Sequence, residues 1–462
     1  MNTLLTSVSV ADEEGYPILD ASTRDLVGYA PKRTTADLEV LIKTATTAQP
    51  GWAVLGHAER SRLMNLVADE IDKHAVELGE IITAEQGKTG GQGEAHGAAM
   101  WLRSAANTIL DTQVLADDGT TRSELHYAPL GVVASIGPWN FPVMITVWHI
   151  APALRMGNTV VVKPSENTPL SVLALLGIFQ RFLPDGVVNG ISGDREVGAA
   201  LAAHPGIAKI VFTGSTPTGR RIVESSANNL ARLTLELGGN DAGIVLPGTD
   251  IESIADKLFW GAFMNSGQVC AALKRVYVHE SLYEETVAAL AERAKNAPMG
   301  SGHDKSNRLG PVQNPSQFDI VSRLVDDARD SGARIAAGGE PAPELGPLFY
   351  RATIVADIED GAALVDEEQF GPVLPVIKYS DVDDAVRRAN GNDQGLGASV
   401  WGPDVEEALR IAERMEAGTV WINQHGGVDP SIPFGGTKAS GYGLEFGVEG
   451  LKAMAATKVI RR

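Results

Sequence analysis

Between Gly131 and Asn240 the sequence alternates short β-branched runs with helical patterns, and this rhythm constrains the fold more than any other feature. The runs begin roughly 20–30 residues apart, which leaves room for one helix between neighbours. We predict strands at Gly131–Ile136, Thr159–Lys163, Val187–Ile191, Ala208–Phe212 and Leu233–Leu237. Strands joined by single helices are typical of consecutive βαβ units, so the sequence predicts a parallel sheet within an α/β fold.

Helical patterns and a second α/β region surround this sheet. One predicted helix is Pro169–Phe182, with Thr168 before the proline as its expected N-cap. Residues 35–107 are mainly helical in pattern, and a new series of strands and helices begins with Ala242–Leu246. With 462 residues, the chain is long enough for about two or three domains.

Charge and cysteine content exclude several classes of function. The formal net charge is −19, whereas nucleic-acid binding depends on clustered Lys and Arg, so we expect no nucleic-acid partner. A single cysteine excludes an internal disulfide and a cysteine-based zinc site. The nine histidines form no metal-binding pattern, and we therefore expect no metal centre.

The segment Leu125–Leu154 carries no Asp, Glu, Lys or Arg and is long enough to span a membrane. Its prolines, including Pro138, Pro142 and Pro152, would break a lipid-exposed helix, so we interpret it as buried strand, loop and helix. The first ten residues lack the basic flank and apolar core of a signal peptide. We therefore expect a soluble, cytoplasmic protein without a membrane partner.

Two segments are candidates for phosphate-binding loops. Gly87-Lys88-Thr89 resembles the end of a P-loop, but the glycine required five positions before Gly87 is Ile82, and the chain has no GxGxxG fingerprint. The segment Phe212–Gly219 runs from a predicted strand through a glycine turn into a predicted helix. A helix N-terminus offers free N–H groups to a pyrophosphate, although a plain β-to-α turn has the same pattern.

Three polar residues are candidates for chemistry. The only thiol is Cys270, and a lone cysteine is more often a small buried hydrophobe than a nucleophile. Glu236 ends an apolar predicted strand, a position where an acid is rarely buried without a task or a partner. Asn140 follows another strand within Gly137–Pro142, where prolines and aromatic residues would hold its amide in place.

Seven segments, in order and with matching spacing, closely resemble motifs of the aldehyde dehydrogenase superfamily. They are Pro138–Pro142, Lys163–Glu166, Phe212–Ser215, Glu236–Gly239, Gly267–Cys270, Glu368–Pro372 and Pro433–Gly436. The resemblance extends from about residue 18 to the end of the chain, which makes chance agreement negligible. It implies an enzyme that oxidises aldehydes with a nicotinamide cofactor.

The resemblance implies a catalytic role for each of the three candidates. Cys270 would attack the aldehyde carbonyl as a thiolate and form a thiohemiacetal. The Asn140 side-chain amide and the Cys270 main-chain N–H would stabilise the oxyanion. After hydride transfer leaves a thioester, Glu236 would activate the water that hydrolyses it.

The resemblance also implies a set of cofactor-binding residues. They are Trp139, Lys163, Glu166, Gly214, Ser215, Glu368 and Phe370. Ser215 would face the pyrophosphate, and Glu368 would hold the nicotinamide ribose. A carboxylate at Glu166 would bind ribose hydroxyls and repel a 2′-phosphate, so we expect NAD, while Lys163 leaves NADP possible. Without the resemblance, a surface ion pair would be the simpler interpretation of Lys163 and Glu166.

The implied aldehyde tunnel is lined by Phe141, Ile145, Trp148 and Val269. The first three share one helical face by their spacing, although spacing alone favours core packing for them. Val269 stands where the family often has cysteine, threonine or isoleucine, and Asn240-Asp241 where it often has lysine and a small residue. The identity of the aldehyde therefore stays open.

The family's architecture implies three parts for this chain. We expect an NAD-binding domain from residues 1–107 and 131–237, an α/β catalytic domain from 238–437, and a small β element from 108–130 and 438–462. That element would join subunits into a homodimer or homotetramer. Two alternatives are a CoA-acylating aldehyde dehydrogenase, against which Glu236 argues, and a catalytically silent NAD-binding relative.

Overall fold

The computed structural model describes residues 2–462, which form sixteen α-helices and twenty strands. The helices are α1 (Thr3–Val8), α2 (Thr35–Val54), α3 (Gly56–Lys73), α4 (Ala75–Gln86), α5 (Gly91–Asn107), α6 (Pro142–Arg155), α7 (Pro169–Gln180), α8 (Arg195–Ala203), α9 (Thr216–Ser226), α10 (Ile251–Phe263), α11 (Tyr283–Asn296), α12 (Pro315–Asp330), α13 (Ala363–Asp366), α14 (Val382–Asn390), α15 (Val405–Ala412) and α16 (Gly447–Ala453). The strands are β1 (Gly15–Leu19), β2 (Leu26–Pro31), β3 (Gln113–Asp117), β4 (Arg122–Pro129), β5 (Val132–Ile136), β6 (Thr159–Lys163), β7 (Val188–Gly190), β8 (Lys209–Thr213), β9 (Arg232–Glu236), β10 (Asp241–Val245), β11 (Leu273–His279), β12 (Arg334–Ala337), β13 (Thr353–Ala356), β14 (Val373–Tyr379), β15 (Gln394–Gly395), β16 (Gly397–Trp401), β17 (Thr419–Ile422), β18 (Thr437–Lys438), β19 (Gly441–Tyr442) and β20 (Ala455–Arg461).

The first large sheet has the strand order β19-β9-β8-β5-β6-β7, and its strands β5 to β9 are parallel. Each predicted strand of this sheet agrees with the structure to within one residue at both ends. Side chains on one face of the sheet pack against α2, α8 and α9, and those on the other pack against α6 and α7. Both faces are covered, which explains the continuous apolar runs of β6 and β8 and confirms the predicted parallel sheet.

The second large sheet has the order β12-β13-β14-β11-β10-β16-β17 and is parallel except for β12. Separate hydrophobic clusters cover its two faces. Together, the two parallel sheets and their helices confirm the expected α/β fold.

A third, three-stranded antiparallel sheet, β20-β4-β3, lies apart from both. Its outer strands expose Val114, Leu115, Val459 and Ile460. Strand β19, from the segment assigned to the small β element, instead pairs antiparallel with β9 of the first sheet. The proposed domain boundaries stay a prediction.

Leu125–Leu154 contains the end of β4, all of β5 and most of α6. This confirms that the uncharged stretch consists of strand, loop and helix. Among the residues described, none of the helices combines the length and apolarity needed to cross a membrane.

The helices that follow β5 and β6 begin in the same way, with a proline in the first turn and a buried carboxylate from another helix as the cap. At α7, Glu85 accepts hydrogen bonds from the main-chain N–H groups of Leu170 and Ser171, both at 2.9 Å. Thr168 is the N-cap residue of α7, as predicted, but its hydroxyl makes no capping bond and has no partner. The ionisable carboxyl of Glu85 takes the free N–H groups, the interaction that a buried helix N-terminus requires.

Candidate active site

A cleft of about 730 Å³ lies at the carboxyl ends of β5, β6 and β8, where α/β folds commonly bind ligands. Nine of the predicted site residues line it. They are Trp139, Asn140, Lys163, Glu166, Gly214, Ser215, Cys270, Glu368 and Phe370. Strand ends of the first large sheet and segments that connect elements of the second contribute, so the fold joins segments that are more than a hundred residues apart in the chain.

The loop that carries Cys270 is held in a constrained conformation. Asn265, Ser266 and Gly267 have φ angles of 51°, 54° and 74°, a left-handed run that costs free energy at the non-glycine positions. A Cβ on Gly267 would collide with a neighbouring main-chain carbonyl. The buried Lys274 ammonium donates to the Gly267 carbonyl at 2.8 Å. The surrounding structure therefore fixes the approach to Cys270, as expected where geometry matters for chemistry.

The surroundings of Cys270 favour its protonated form. Burial and, to a smaller extent, the negative charges of Glu368, Glu236 and Asp241 together raise the pKa of the Cys270 thiol to about 12. A thiolate is the reactive form of cysteine, so attack from this site requires a group that removes the thiol proton. Two of these carboxylates, Glu368 and Glu236, were predicted from the sequence.

Asn140 is buried beside the cysteine loop. Its side-chain amide donates to the Gln268 carbonyl at 3.0 Å. An amide nitrogen carries two hydrogens, so a second donor is available to an oxygen in the cleft. The main-chain carbonyl of Asn140 accepts from Lys88 at 2.5 Å and from Asn265 at 3.2 Å. These bonds fix both the backbone and the side chain of Asn140.

Glu236 ends β9 behind the cleft and does not line it. It is 4% exposed, and neither of its carboxyl oxygens has a hydrogen-bond partner. Burial raises the pKa of Glu236 well above its ordinary value, and the nearby Glu445 raises it further. A buried acid without hydrogen-bond partners costs free energy. Such a group is typical of a functional site, and once deprotonated Glu236 can accept a proton there.

Glu445 is a residue that the sequence reasoning missed. It is buried, and its Oε1 lies 3.6 Å from the Nε2 of His149. Burial raises the pKa of Glu445 to about 8, while Lys209 opposes that shift. Its only signal in the sequence is an acid within the glycine-rich run Gly441–Gly447.

The adenosine end of the predicted cofactor site is more open. Lys163 is buried at the end of β6, whereas the Glu166 side chain is 53% exposed. Their charged groups are 3.9 Å apart, longer than a hydrogen bond, so both can bind other groups. Ser215 is the N-cap of α9; its hydroxyl donates to the Thr218 hydroxyl and accepts no bond from the N–H groups of the helix. The first N–H groups of α9 therefore face the cleft without a side-chain cap, an arrangement that fits a pyrophosphate.

Glu368 and Phe370 line the predicted nicotinamide end of the cleft. Glu368 accepts from the Gly239 N–H at 3.2 Å, and burial raises the pKa of its carboxyl to about 7. A Cβ on Gly238 would displace that carboxyl from its present position. Phe370, with a φ of 42°, packs edge-on against Trp139 at 5.3 Å between ring centroids. These residues fit a flat ring and a ribose beside Cys270.

The four predicted tunnel residues do not line the main cleft. Ile145 and Trp148 are buried in the hydrophobic cluster against which Cys270 and Phe141 also pack. Trp148 contacts Phe446 edge-on at 4.8 Å between centroids. Val269 is buried next to Cys270 in the chain. Their role in substrate binding stays a prediction.

Comparison with known proteins identifies the family. Residues 8–460 match the model of the aldehyde dehydrogenase family. The chain is 37% identical to phenylacetaldehyde dehydrogenase of Pseudomonas fluorescens, over 98% of this chain and 93% of that protein. It is 36% identical to human retinaldehyde dehydrogenase 3, over 96% and 89%. Its fold superposes on the NAD+ complex of a Bacillus cereus aldehyde dehydrogenase with a TM-score of 0.95, at 34% identity over 98% and 94% of the two chains.

The chain therefore belongs to the aldehyde dehydrogenase family, and the oxidation of aldehydes is its class of reaction.

Proposed function

We propose that this enzyme oxidises an aldehyde to its carboxylic acid with NAD, through a thioester on Cys270 that water hydrolyses. The observation that carries the proposal is Glu236, a buried carboxylate without hydrogen-bond partners whose charge acts on the Cys270 thiol. A catalytically silent protein would have no need to retain such a group, and a CoA-dependent enzyme would not need a base for water.

Each catalytic residue contributes one step. The Cys270 thiol gives up its proton to solvent water in the cleft, and its sulfur bonds to the aldehyde carbon to form a thiohemiacetal. The Asn140 amide and the Cys270 N–H donate to the resulting oxyanion. NAD, when bound, supplies the hydride acceptor, which leaves a thioester. Glu236 takes a proton from water as the water oxygen attacks the thioester carbon, and the acid and the free thiol are released.

The cofactor preference rests on Glu166. Its exposed carboxylate can accept hydrogen bonds from ribose hydroxyls and would repel a 2′-phosphate, which favours NAD over NADP. The Bacillus cereus relative forms a complex with NAD+. Lys163 and the uncapped N-terminus of α9 supply positive charge for the rest of the cofactor.

We further propose that the aldehyde is apolar. Cys270 and Phe141 pack against a cluster that includes Ile145, Trp148 and Phe446, and such walls favour aliphatic or aromatic chains over charged ones.

Assembly and location are also part of the proposal. The exposed apolar residues of β3 and β20 suit pairing with a second copy in a homodimer or homotetramer. We propose that the residue ranges predicted above form the three domains and that the enzyme works in the cytoplasm. Light scattering of the purified protein and cell fractionation test the assembly and the location.

An assay of the wild-type enzyme with a mixed aldehyde panel tests the reaction itself. We expect NADH and free carboxylic acid to form in equal amounts without CoA. An absolute requirement for CoA, with no free acid in its absence, would establish the acylating alternative. No NADH with any aldehyde would point to a silent relative.

A further inference from the structure

The segment Gly87-Lys88-Thr89, which does not meet the requirements of a phosphate loop, places Lys88 directly beneath the Asn140 segment. Lys88 is 6% exposed. Its ammonium donates to the Asn140 carbonyl at 2.5 Å and to the Glu94 carboxylate at 2.7 Å. The ring centroid of Phe141 is 3.4 Å from the same nitrogen. All contacts of the ammonium therefore involve either Glu94 or the segment that carries the predicted oxyanion donor.

Glu94 holds the other end of this segment. Its Oε1 accepts from the N–H groups of Val143 and Met144 at 2.9 and 3.1 Å, in the first turn of α6. Helix α6 has no cap from its own N-cap residue, so the N–H groups depend on Glu94. One buried ion pair thus fixes the backbone on both sides of Phe141.

The energetic cost of burying the Lys88–Glu94 ion pair indicates that the pair has a role other than stabilising the fold. Burial lowers the pKa of Lys88, and Glu94 opposes that shift, so the charged state costs desolvation that the pair must offset. A buried ion pair seldom stabilises a fold more than apolar residues of the same volume, but it does impose a specific geometry. Here that geometry fixes the carbonyl of the residue whose amide contacts the cysteine loop.

We propose that Lys88 and Glu94 are positioning residues that aim the Asn140 amide at the reacting oxygen. This inference rests on the proposed function, because it assigns the pair to the acylation step. A small displacement of a catalytic group lowers the rate of the chemical step without changing cofactor affinity. Loss of the Lys88–Glu94 pair should therefore lower kcat and leave the NAD dissociation constant unchanged.

Stopped-flow measurement of the NADH burst with Lys88→Met tests the proposal. We expect the burst rate to fall about tenfold or more, with unchanged NAD affinity by fluorescence titration. Arg60→Met is the matched control. Arg60 is also a buried cation, and its Nε donates at 3.1 Å to the Arg155 carbonyl at the opposite end of α6. That variant should lose thermal stability and keep its burst rate.

A double-mutant cycle with Asn140→Ala separates positioning from general destabilisation. Adding Lys88→Met to Asn140→Ala should cause little further loss in burst rate, because the positioned donor is already absent. Equal losses in both backgrounds would overturn the proposal. If Lys88→Met fails to fold, Glu94→Gln takes its place in the cycle, with Glu85→Gln, the equivalent change at α7, as its control. If Asn140→Ala leaves the burst unchanged, Asn140 is not the oxyanion donor and the positioning proposal is overturned; failure of the proposed function would appear instead as no NADH burst in the wild-type enzyme.

Discussion

The two ends of the cleft differ in how their polar groups are satisfied. Behind the proposed catalytic end, Glu236 is buried without a partner, and the pKa of Cys270 is raised to about 12 by burial and nearby carboxylates. At the adenosine end, Glu166 is 53% exposed, and water can satisfy it when no ligand is bound. Buried groups without partners cost free energy in the resting enzyme, whereas exposed groups cost almost nothing.

This difference in burial predicts that substitutions at the two ends of the cleft will affect different quantities. Groups held away from water act strongly on a reacting bond because the local dielectric constant is low, so substitutions there should change rates by orders of magnitude. Exposed groups compete with water for their ligands, so substitutions at the adenosine end should change affinities by modest factors.

The largest expected effect is that of Cys270→Ala. Without the thiol no thiohemiacetal forms, so dehydrogenase activity should fall by on the order of 10⁴-fold or more. NAD affinity and thermal stability should stay close to wild type, because the side chain is small and makes no structural bond. Steady-state assays and fluorescence titration measure both quantities. Near-normal aldehyde oxidation by this variant would refute covalent catalysis.

Removing the charge of Glu445 should have a smaller effect, a shift in the pH dependence of kcat. A base must be deprotonated to accept a proton, so deacylation should increase with pH through the raised pKa of Glu236. Glu445 contributes to raising that pKa, so Glu445→Gln should lower it and move the rising limb of the kcat profile to lower pH. Glu85→Gln, another buried acid whose pKa is about 8, should leave the limb unchanged. A shift to higher pH would contradict this coupling.

The smallest effect is expected at the adenosine end of the cleft, on the preference for NAD over NADP. Wild type should prefer NAD over NADP in kcat/KM by about tenfold, or about 1.4 kcal/mol. Glu166→Gln should narrow that preference, because it removes the charge that repels a 2′-phosphate. Glu224→Gln changes an exposed carboxylate of α9 outside the cleft and should leave the ratio unchanged. Equal or better use of NADP by wild type would disprove the preference.

The sequence predicted the first sheet well because strands covered on both faces need continuous apolar runs, a local pattern that β6 and β8 display. Cys270 and Asn140 could be found because family motifs surround them. In the structure they lie together: the Asn140 amide donates to the carbonyl of Gln268, two residues before the cysteine.

Contacts between distant segments could not be predicted in the same way. Glu94 caps a helix that begins 48 residues later. At α7, Glu85 accepts the free N–H groups in place of the hydroxyl of the N-cap residue Thr168. Glu445 acts on Glu236 from across 209 residues of chain. No local periodicity records such pairings, because they depend on how the sheet and its neighbouring helices pack.

Glu236→Gln tests the central claim most directly. The amide keeps the size of the side chain but cannot accept a proton from water, so the acyl-enzyme should form and then persist. With NAD and aldehyde, we expect about one NADH per active site, and mass spectrometry should find the acyl group on the peptide that contains Cys270. Sustained turnover at the wild-type rate, with no adduct on Cys270, would contradict the account.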